Sequence, residues 1–343
     1  RADRPLCVGP GPPIAPRARR NFTAAERRAR IDEMINAAVR VEAIECAHAL
    51  EAEVRELRLI AAAKPPYNRR SKYPERVVWL KLTTEAYPRL SVVRRPSDDG
   101  AAHLGPFGSR RTAELAAAAV HDALRLRQCT TRLSARVTSP VCALAELGRC
   151  PAPCEHAISP ADYVATAAEP FRTATTGDPG PIVRALLDRI EALSAAQRYE
   201  EAAVVRERMV AFLHAAVRMQ RLASLTAIEE LAAARPVETG GWEIAVVRRG
   251  RLAAAATAPR ATHPLATLEL ALATAETVMP GTGPTPAASA AETERILAWL
   301  ERPETRLVRT SAGWSSPASG AQRWRPLLTL AGQATREGSA DRT

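Results

Sequence analysis

The sequence is poor in lysine, in aromatic residues and in long apolar runs. Only three lysines occur among its 48 basic residues, and aromatic residues make up 4% of the chain. No run approaches the ~18 consecutive apolar residues of a membrane-spanning helix. The first residues also lack the apolar core of a secretory signal peptide. These absences predict a cytoplasmic protein without a transmembrane helix.

An initiator methionine is absent as well, because the chain begins at Arg1. A first recognisable element already appears within the next ten residues, which predicts that an upstream portion is missing. The 343 residues suffice for two or three domains and for at least one sizeable core.

Basic residues are abundant, and nearly all of them are arginine. The formal net charge is +11 and the isoelectric point is near 10.0. A guanidinium group pairs bidentately with phosphate oxygens, so this balance predicts a nucleic-acid-binding surface. The alternative is compositional, since a GC-rich genome encodes arginine in place of lysine. The arginines expected to contact DNA are Arg17, Arg19, Arg20, Arg69, Arg70, Arg94 and Arg95.

Four of the six cysteines fall within 26 residues, with gaps of twelve, seven and three residues between Cys129, Cys142, Cys150 and Cys154. Thiolates converge when a soft cation holds them, so this spacing predicts a metal or cluster site. Disulfides are disfavoured in a reducing compartment. Cys46 lies in a predicted strand and is expected to be a small core residue.

Apolar periodicity and Gly/Pro breakers predict an α+β fold. Thr23, with Glu26 three residues later, forms a capping box that begins a helix. The other predicted helices are His48–Lys64, Arg110–Arg127, one from Ser159, Pro181–Leu193, Arg198–Arg221 and Glu292–Leu300. The predicted strands are Arg4–Gly9, Val41–Cys46, Arg76–Leu82, Arg89–Arg94, Trp242–Val247 and Arg251–Ala256. Arg249-Gly250 predicts a hairpin between the last two strands. A short turn near Ala195–Gln197 predicts that the helices on either side pack as an antiparallel hairpin. Residues 280–290 are expected to form a flexible linker.

Five blocks of sequence occur in the order that one family shows. They are Glu51–Glu56 with Pro66-Tyr67-Asn68, Tyr87-Pro88-Arg89-Leu90, Gly105-Pro106-Phe107, Arg127-Gln128-Cys129 with the three later cysteines, and Tyr199–Ala203 with Arg206 and Glu207. Together they resemble UvrC, the nuclease subunit of nucleotide excision repair. The first block resembles the end of its GIY-YIG nuclease domain, and the last resembles its UVR motif.

The resemblance implies a succession of domains. They are a truncated GIY-YIG nuclease-like domain over 1–69, a UvrC-like α/β extension over 70–128, a four-cysteine cluster segment over 129–158, a helical region over 159–235 with a UVR hairpin at about 180–222, a small α/β C-terminal domain with partial RNase H-like resemblance over 236–330, and a disordered tail over 331–343. Past residue 236, no acidic set with a histidine matches the spacing of an RNase H-like catalytic centre.

The resemblance also implies a nuclease site. Glu56 stands twelve residues before Asn68, as the metal-ligand glutamate and the downstream asparagine do in similar GIY-YIG domains, and it would bind Mg²⁺ or Mn²⁺. Arg17, eight residues after Gly9, matches the arginine that contacts the scissile phosphate. The sequence departs from the family at Cys7, which replaces the YIG tyrosine, since a thiol differs from a phenol in geometry and pKa.

The same resemblance implies a [4Fe–4S] cluster on the four clustered cysteines, with Zn²⁺ as the alternative. It also implies that the hairpin docks on a UvrB-like protein. The residues expected to carry this docking are Tyr199, Glu200, Glu201, Ala202, Ala203 and Arg206. A self-contained helical hairpin is the alternative. The whole arrangement is similar to actinobacterial proteins that fuse a DnaQ-like DEDD exonuclease to a UvrC-like half.

Two functions follow as expectations. The first is metal-dependent incision of one DNA strand during excision repair, catalysed by Glu56, Arg17 and Asn68. The alternative is a catalytically degenerate module that binds DNA, docks a partner and positions an associated DEDD 3′–5′ exonuclease. Cys7 favours the alternative, whereas the presence of the other three residues favours the enzyme.

Overall fold

The computed structural model describes residues 5–9, 29–238, 240–281 and 287–329. It combines helices with two antiparallel sheets, which confirms the predicted α+β class. The chain divides into two compact units. We call residues 1–75, 225–281 and 286–314 the first unit, and residues 76–224, 282–285 and 315–343 the second unit.

The helices are α1 Ala29–Ala37, α2 Ala49–Ala63, α3 Arg110–Ala123, α4 Ala143–Glu146, α5 Pro160–Tyr163, α6 Glu169–Thr176, α7 Gly180–Ala195, α8 Tyr199–Thr226, α9 Pro264–Thr274 and α10 Ala290–Leu300. A π-helical turn, Val164–Ala168, joins α5 to α6. The strands are β1 Val78–Leu82, β2 Leu90–Val93, β3 His103–Phe107, β4 Leu231–Pro236, β5 Trp242–Arg248, β6 Arg251–Ala258 and β7 Arg306–Thr310.

The second unit is built on a three-stranded antiparallel sheet in the order β2-β1-β3. Leu80 of the central strand is fully buried and shares one core with helix α3. Ser109 caps α3 by accepting the N–H three residues further on. Ala113, Ala116 and Ala119 give this helix a narrow buried stripe, which lets it approach the sheet closely.

Helices α7 and α8 of the second unit are joined by a short turn. Gln197 adopts a left-handed φ of 58° there, and the N–H of Arg198 donates to the carbonyl of Leu193 at 2.8 Å. This confirms the predicted turn near Ala195–Gln197. Both helices bury apolar side chains in the same core, among them Ile182, Val183 and Leu186 from α7 and Val205, Met209 and Phe212 from α8.

The first unit contains a four-stranded antiparallel sheet in the order β6-β5-β4-β7. The predicted hairpin between β5 and β6 is confirmed. Arg249 and Gly250 both have positive φ, as a two-residue hairpin turn with the right twist requires. A Cβ on Gly250 would lie 2.8 Å from the Thr226 side chain, so the tight turn also excludes a larger residue.

Helix α2 is part of the same unit and contacts α10 and β6. Arg58 of α2 donates to both carboxylate oxygens of Glu292, at 3.0 and 2.7 Å. Glu292 is almost completely buried and also accepts the N–H of Leu252 at 3.1 Å. The first unit therefore combines residues of the nuclease-like segment with residues of the C-terminal segment. Their wide separation along the chain gives no sign of this grouping.

Two strand predictions near the N-terminus are wrong. Residues 41–46 have irregular backbone, and Val41 and Ile44 are exposed, because apolar β-branched residues form a strand only where a neighbour completes the ladder. Residues 5–9 are not a strand either, although the N–H of Tyr67 donates to the Leu6 carbonyl at 3.1 Å. Cys46 is half-buried and not a core residue.

Other elements were not predicted at all. Strand β4 falls in the region expected to be helical, since three of its residues are alanines with a helical preference that the sheet overrides. Strand β3, strand β7 and helix α9 were also missed. Three predictions lie wholly or partly outside the described residues. They are the capping box at Thr23, residues 282–286 of the predicted linker, and the predicted tail at 331–343.

Candidate functional site

The most unusual side chain of the second unit is Arg127, a charged residue with no exposed surface. It lies just after α3, and its Nε donates to the carbonyl of Tyr87 at 2.7 Å. Its Nη1 donates to the carbonyl of Cys129 at 2.8 Å and to the Cys129 sulfur at 3.2 Å. The Nη2 atom forms an ion pair with Glu85 at 2.8 Å. Burial of this charge is tolerated because Nε and Nη1 donate to backbone carbonyls and the Glu85 carboxylate offsets the charge beside Nη2.

A buried tyrosine completes this network. The hydroxyl of Tyr163 accepts the N–H of Arg127 at 2.8 Å and donates to the carbonyl of Pro88 at 2.9 Å. Burial raises the pKa of Tyr163 to about 12, although the adjacent Arg127 opposes that rise. The hydroxyl therefore keeps its proton at neutral pH and can make both bonds. The network ties the segment after β1 to the start of the cysteine segment.

The four clustered cysteines differ in how far they are buried. That residue is buried, Cys129 and Cys154 are half-buried, and Cys142 is exposed. Burial raises the pKa of the Cys150 thiol, the N–H of Ala152 lowers it, and charge on the other three sulfurs raises it again. The Cys150 thiol is therefore harder to ionise than a solvated thiol, and a bound cation would favour its thiolate form.

The chemistry of this donor set fits a thiolate-bound metal or cluster, with the Arg127 N–H already directed at one sulfur. The sulfurs do not yet form a closed ligand shell. Across the part of the chain that the structure describes, no group of three or more His, Cys, Asp or Glu side chains is arranged to hold a metal ion.

The backbone of the cysteine segment is folded tightly. The N–H of Cys150 donates to the carbonyl of Leu144 at 3.1 Å, and the N–H of Ser139 donates to that of Cys154 at 2.8 Å. Ala152 and His156 adopt left-handed conformations with φ of 50° and 59°. These two left-handed residues turn the backbone tightly on either side of Cys154.

A second cluster of charges was missed by sequence reasoning. The side chain of Asp122, near the end of α3, is 1% exposed and is approached by three arginines. Arg208 of α8 lies 2.7 Å away, Arg149 of the cysteine segment 3.3 Å and Arg189 of α7 3.4 Å. An acidic residue in the last turn opposes the helix dipole, and this signal could have indicated cationic partners.

Two residues of the predicted nuclease site, Glu56 and Asn68, belong to the first unit. Glu56 lies half-buried on α2. The side-chain amide of Asn68 accepts the N–H of Val8 at 2.9 Å and donates to the carbonyl of Val8 at 2.8 Å. Cys7, at the tyrosine position, is exposed. Arg17 lies outside the described residues, as do Arg19 and Arg20.

The predicted docking residues lie at the start of α8. Tyr199, Glu200, Glu201, Ala203 and Arg206 are exposed, whereas Ala202 faces the core. Glu201 forms two 2.6 Å hydrogen bonds with Arg198. The motif thus presents one aromatic, two acidic and one basic side chain to solvent along a single helix.

The remaining arginines of the predicted DNA surface, Arg69, Arg70, Arg94 and Arg95, are all exposed. Their charge is therefore accessible to a nucleic-acid backbone. None of the helices in the described residues is long and apolar enough to cross a membrane.

Comparison with known proteins gives several matches. Residues 77–172 match the family described as the UvrC/Cho excinuclease, middle domain. A protein of Mycobacterium tuberculosis whose name describes a bifunctional exonuclease/endonuclease is 38% identical over 325 residues, which cover 93% of this chain and 50% of that protein. The UvrABC system protein C of Haloarcula marismortui is 32% identical over 60% of this chain and 35% of its own length.

The UvrABC system protein C of Aquifex aeolicus is 29% identical over 62% of this chain and 36% of its own length. The chain thus spans half or less of the length of these relatives. No solved structure matches.

Proposed function

We propose that this chain, which belongs to the UvrC-like family, binds DNA, docks a partner and positions both for strand processing. The partner is a UvrB-like protein that the hairpin motif at the start of α8 contacts. The processing activity is an associated 3′–5′ exonuclease. The name of the Mycobacterium tuberculosis relative supports such a combination, because it includes both nuclease activities.

The observation that carries this proposal is the state of Asn68. Both polar atoms of its amide are already bonded to the backbone of Val8, so the side chain serves to hold the segment around Cys7 and Gly9. It is consequently not directed at a substrate. At the neighbouring tyrosine position, a thiol cannot reproduce the geometry of a phenol that orients water.

We further propose that Cys129, Cys142, Cys150 and Cys154 hold a [4Fe–4S] cluster, with zinc as the alternative. When bound, the metal supplies the positive charge that four mutually repelling thiolates need. The protein's own contribution is the N–H of Arg127, which would neutralise part of the charge on the Cys129 sulfur.

Metal-dependent incision is the second candidate, and the position of Glu56 favours it. Arg58 anchors helix α2 to α10 through its ion pair with the buried Glu292, and to β6 by donating to the Leu252 carbonyl at 2.7 Å, whereas Glu56 is only half-buried. A carboxylate on a firmly held helix can bind Mg²⁺ or Mn²⁺ while the metal keeps most of its waters.

We expect this chain to nick supercoiled DNA feebly or not at all in Mg²⁺ or Mn²⁺. The reason is that water activation contributes typically ~10²–10⁴-fold and the tyrosine position holds Cys7. Gel analysis of Glu56→Gln beside the wild type measures this. Glu53→Gln, on the same helix and paired with Arg295 at 3.4 Å, is the matched control. Robust nicking that disappears only in Glu56→Gln would establish the incision candidate instead.

DNA binding is expected to be electrostatic and independent of sequence. Reversing Arg69 and Arg70 to glutamate should weaken binding to unrelated duplexes alike, because phosphate contacts position a protein without reading bases. Fluorescence anisotropy in increasing salt measures the affinity. Reversal of the exposed Arg302 and Arg309 changes the charge equally and serves as the control. If the affinity does not depend on salt, or if both double reversals weaken binding equally, the arginine excess reflects genomic composition and not a DNA-binding surface.

A further inference from the structure

The cluster around Asp122 is more positive than an ordinary ion pair. Three guanidinium groups, from Arg149, Arg189 and Arg208, approach one carboxylate and leave a net charge of +2. His121, the neighbour of Asp122, adds no charge at neutral pH because burial lowers its pKa to about 4. A positive excess fixed at one place on a protein attracts an anion.

The layering of the cluster matters as much as its charge. The side chain of Asp122 is 1% exposed, whereas those of Arg149, Arg189 and Arg208 are 45, 43 and 30% exposed. The carboxylate therefore lies beneath the arginines, and solvent meets guanidinium groups. Arginines held by such an anchor lose less conformational freedom when a ligand arrives, which improves binding.

The number of hydrogen-bond donors in the cluster also favours binding of an anion. Three arginines carry about fifteen N–H donors, whereas one carboxylate offers about four acceptor sites. Arg149 uses Nη2, and Arg208 uses Nη1, to bond Asp122. Donors in a planar fork match the oxygens of a phosphate group, which is the anion that arginine recognises bidentately.

We propose that Arg149, Arg189 and Arg208 bind a phosphate of a nucleic-acid backbone, with Asp122 holding the three side chains in position. This inference rests on the proposed function, because it assigns one DNA contact within it. The three arginines come from the cysteine segment, α7 and α8. The site thus forms only when these parts of the second unit are folded together.

The test compares wild type with the double variant Arg189→Gln/Arg208→Gln. Binding of a short fluorescein-labelled duplex is measured by anisotropy between about 50 and 200 mM salt, where each phosphate contact contributes about 0.9 to the log–log slope. We expect the magnitude of the slope to fall by about 0.9 in the double variant, and to stay unchanged in Arg189→Lys/Arg208→Lys. Arg184→Gln, on α7 but outside the cluster, is the single-charge control.

Urea unfolding of each variant separates binding from folding. A double variant that unfolds at a lower urea concentration yet keeps the wild-type salt slope would show that the arginines only tie the unit together, and would overturn this inference alone. A wild-type chain that fails to bind DNA would overturn the proposed function together with it. The inference is supported if the glutamine double variant remains folded at the assay temperature and shows a smaller salt slope, while the lysine double variant keeps the wild-type slope.

Discussion

Protein purified without oxygen is expected to be brown and to contain about four irons per chain, and the Cys150→Ser variant is expected to contain none. Cys150 is the most buried of the four clustered cysteines, and burial, together with charge on the other three sulfurs, raises the pKa of its thiol. A hydroxyl at this position cannot replace a thiolate ligand for a soft metal. Metal analysis and the visible absorption spectrum measure both outcomes.

The matched control for this prediction is Cys46→Ser, because Cys46 lies in the first unit, apart from the clustered cysteines. This variant should keep its full iron content. Colourless wild-type protein with about one zinc per chain would decide for the structural zinc site. Iron that survives in Cys150→Ser would mean that the four cysteines do not form the site. Circular dichroism shows whether either variant has lost its fold.

Replacement of Arg127 by methionine is expected to lower the free energy of unfolding by about 3–5 kcal/mol, the usual cost of removing one partner from a buried ion pair. Glu85 would keep only the more distant Arg89, at 3.5 Å, and the carbonyls of Tyr87, Cys129 and Thr131 would lose their donor. The side chain has no exposed surface, so water cannot replace those bonds. Urea unfolding followed by circular dichroism measures the change.

Two further variants make this prediction specific. Arg125→Met removes a charge from an exposed position two residues earlier and should change stability by less than about 0.5 kcal/mol. Arg127→Lys keeps the charge but offers three N–H donors instead of five, so its loss should fall between the two. Equal losses in Arg125→Met and Arg127→Met would show that the buried network contributes nothing particular to the fold.

Much of the secondary structure follows from local sequence. Helix α2 ends before Pro65-Pro66, α3 begins at the Ser109 cap, and Arg249-Gly250 turns β5 into β6. Each of these signals acts over a few residues, through a missing N–H, a capping hydroxyl or a permitted positive φ. Sequence was therefore sufficient to predict them.

The errors arose where a distant neighbour decides the outcome. The alanines of β4 favour a helix in isolation, and they form a strand because β5 and β7 complete their backbone hydrogen bonds. Val41 and Ile44 have strand-forming side chains, yet their segment has irregular backbone. Local propensity is weaker than a full ladder of hydrogen bonds, so neither result could be obtained from the sequence alone.

For the candidate sites, the sequence by itself determined the residue types and their family. The spacing of the four cysteines, the arginine excess and the hairpin motif all indicated UvrC-like DNA repair, and the family match supports that indication. Only the tertiary structure decided which charges meet. Asp122, Arg149, Arg189 and Arg208 are scattered along 87 residues, and packing of α3 with α7 and α8 brings them together. Coulombic attraction and hydrogen bonding depend on distance in space, which separation along the chain does not reveal.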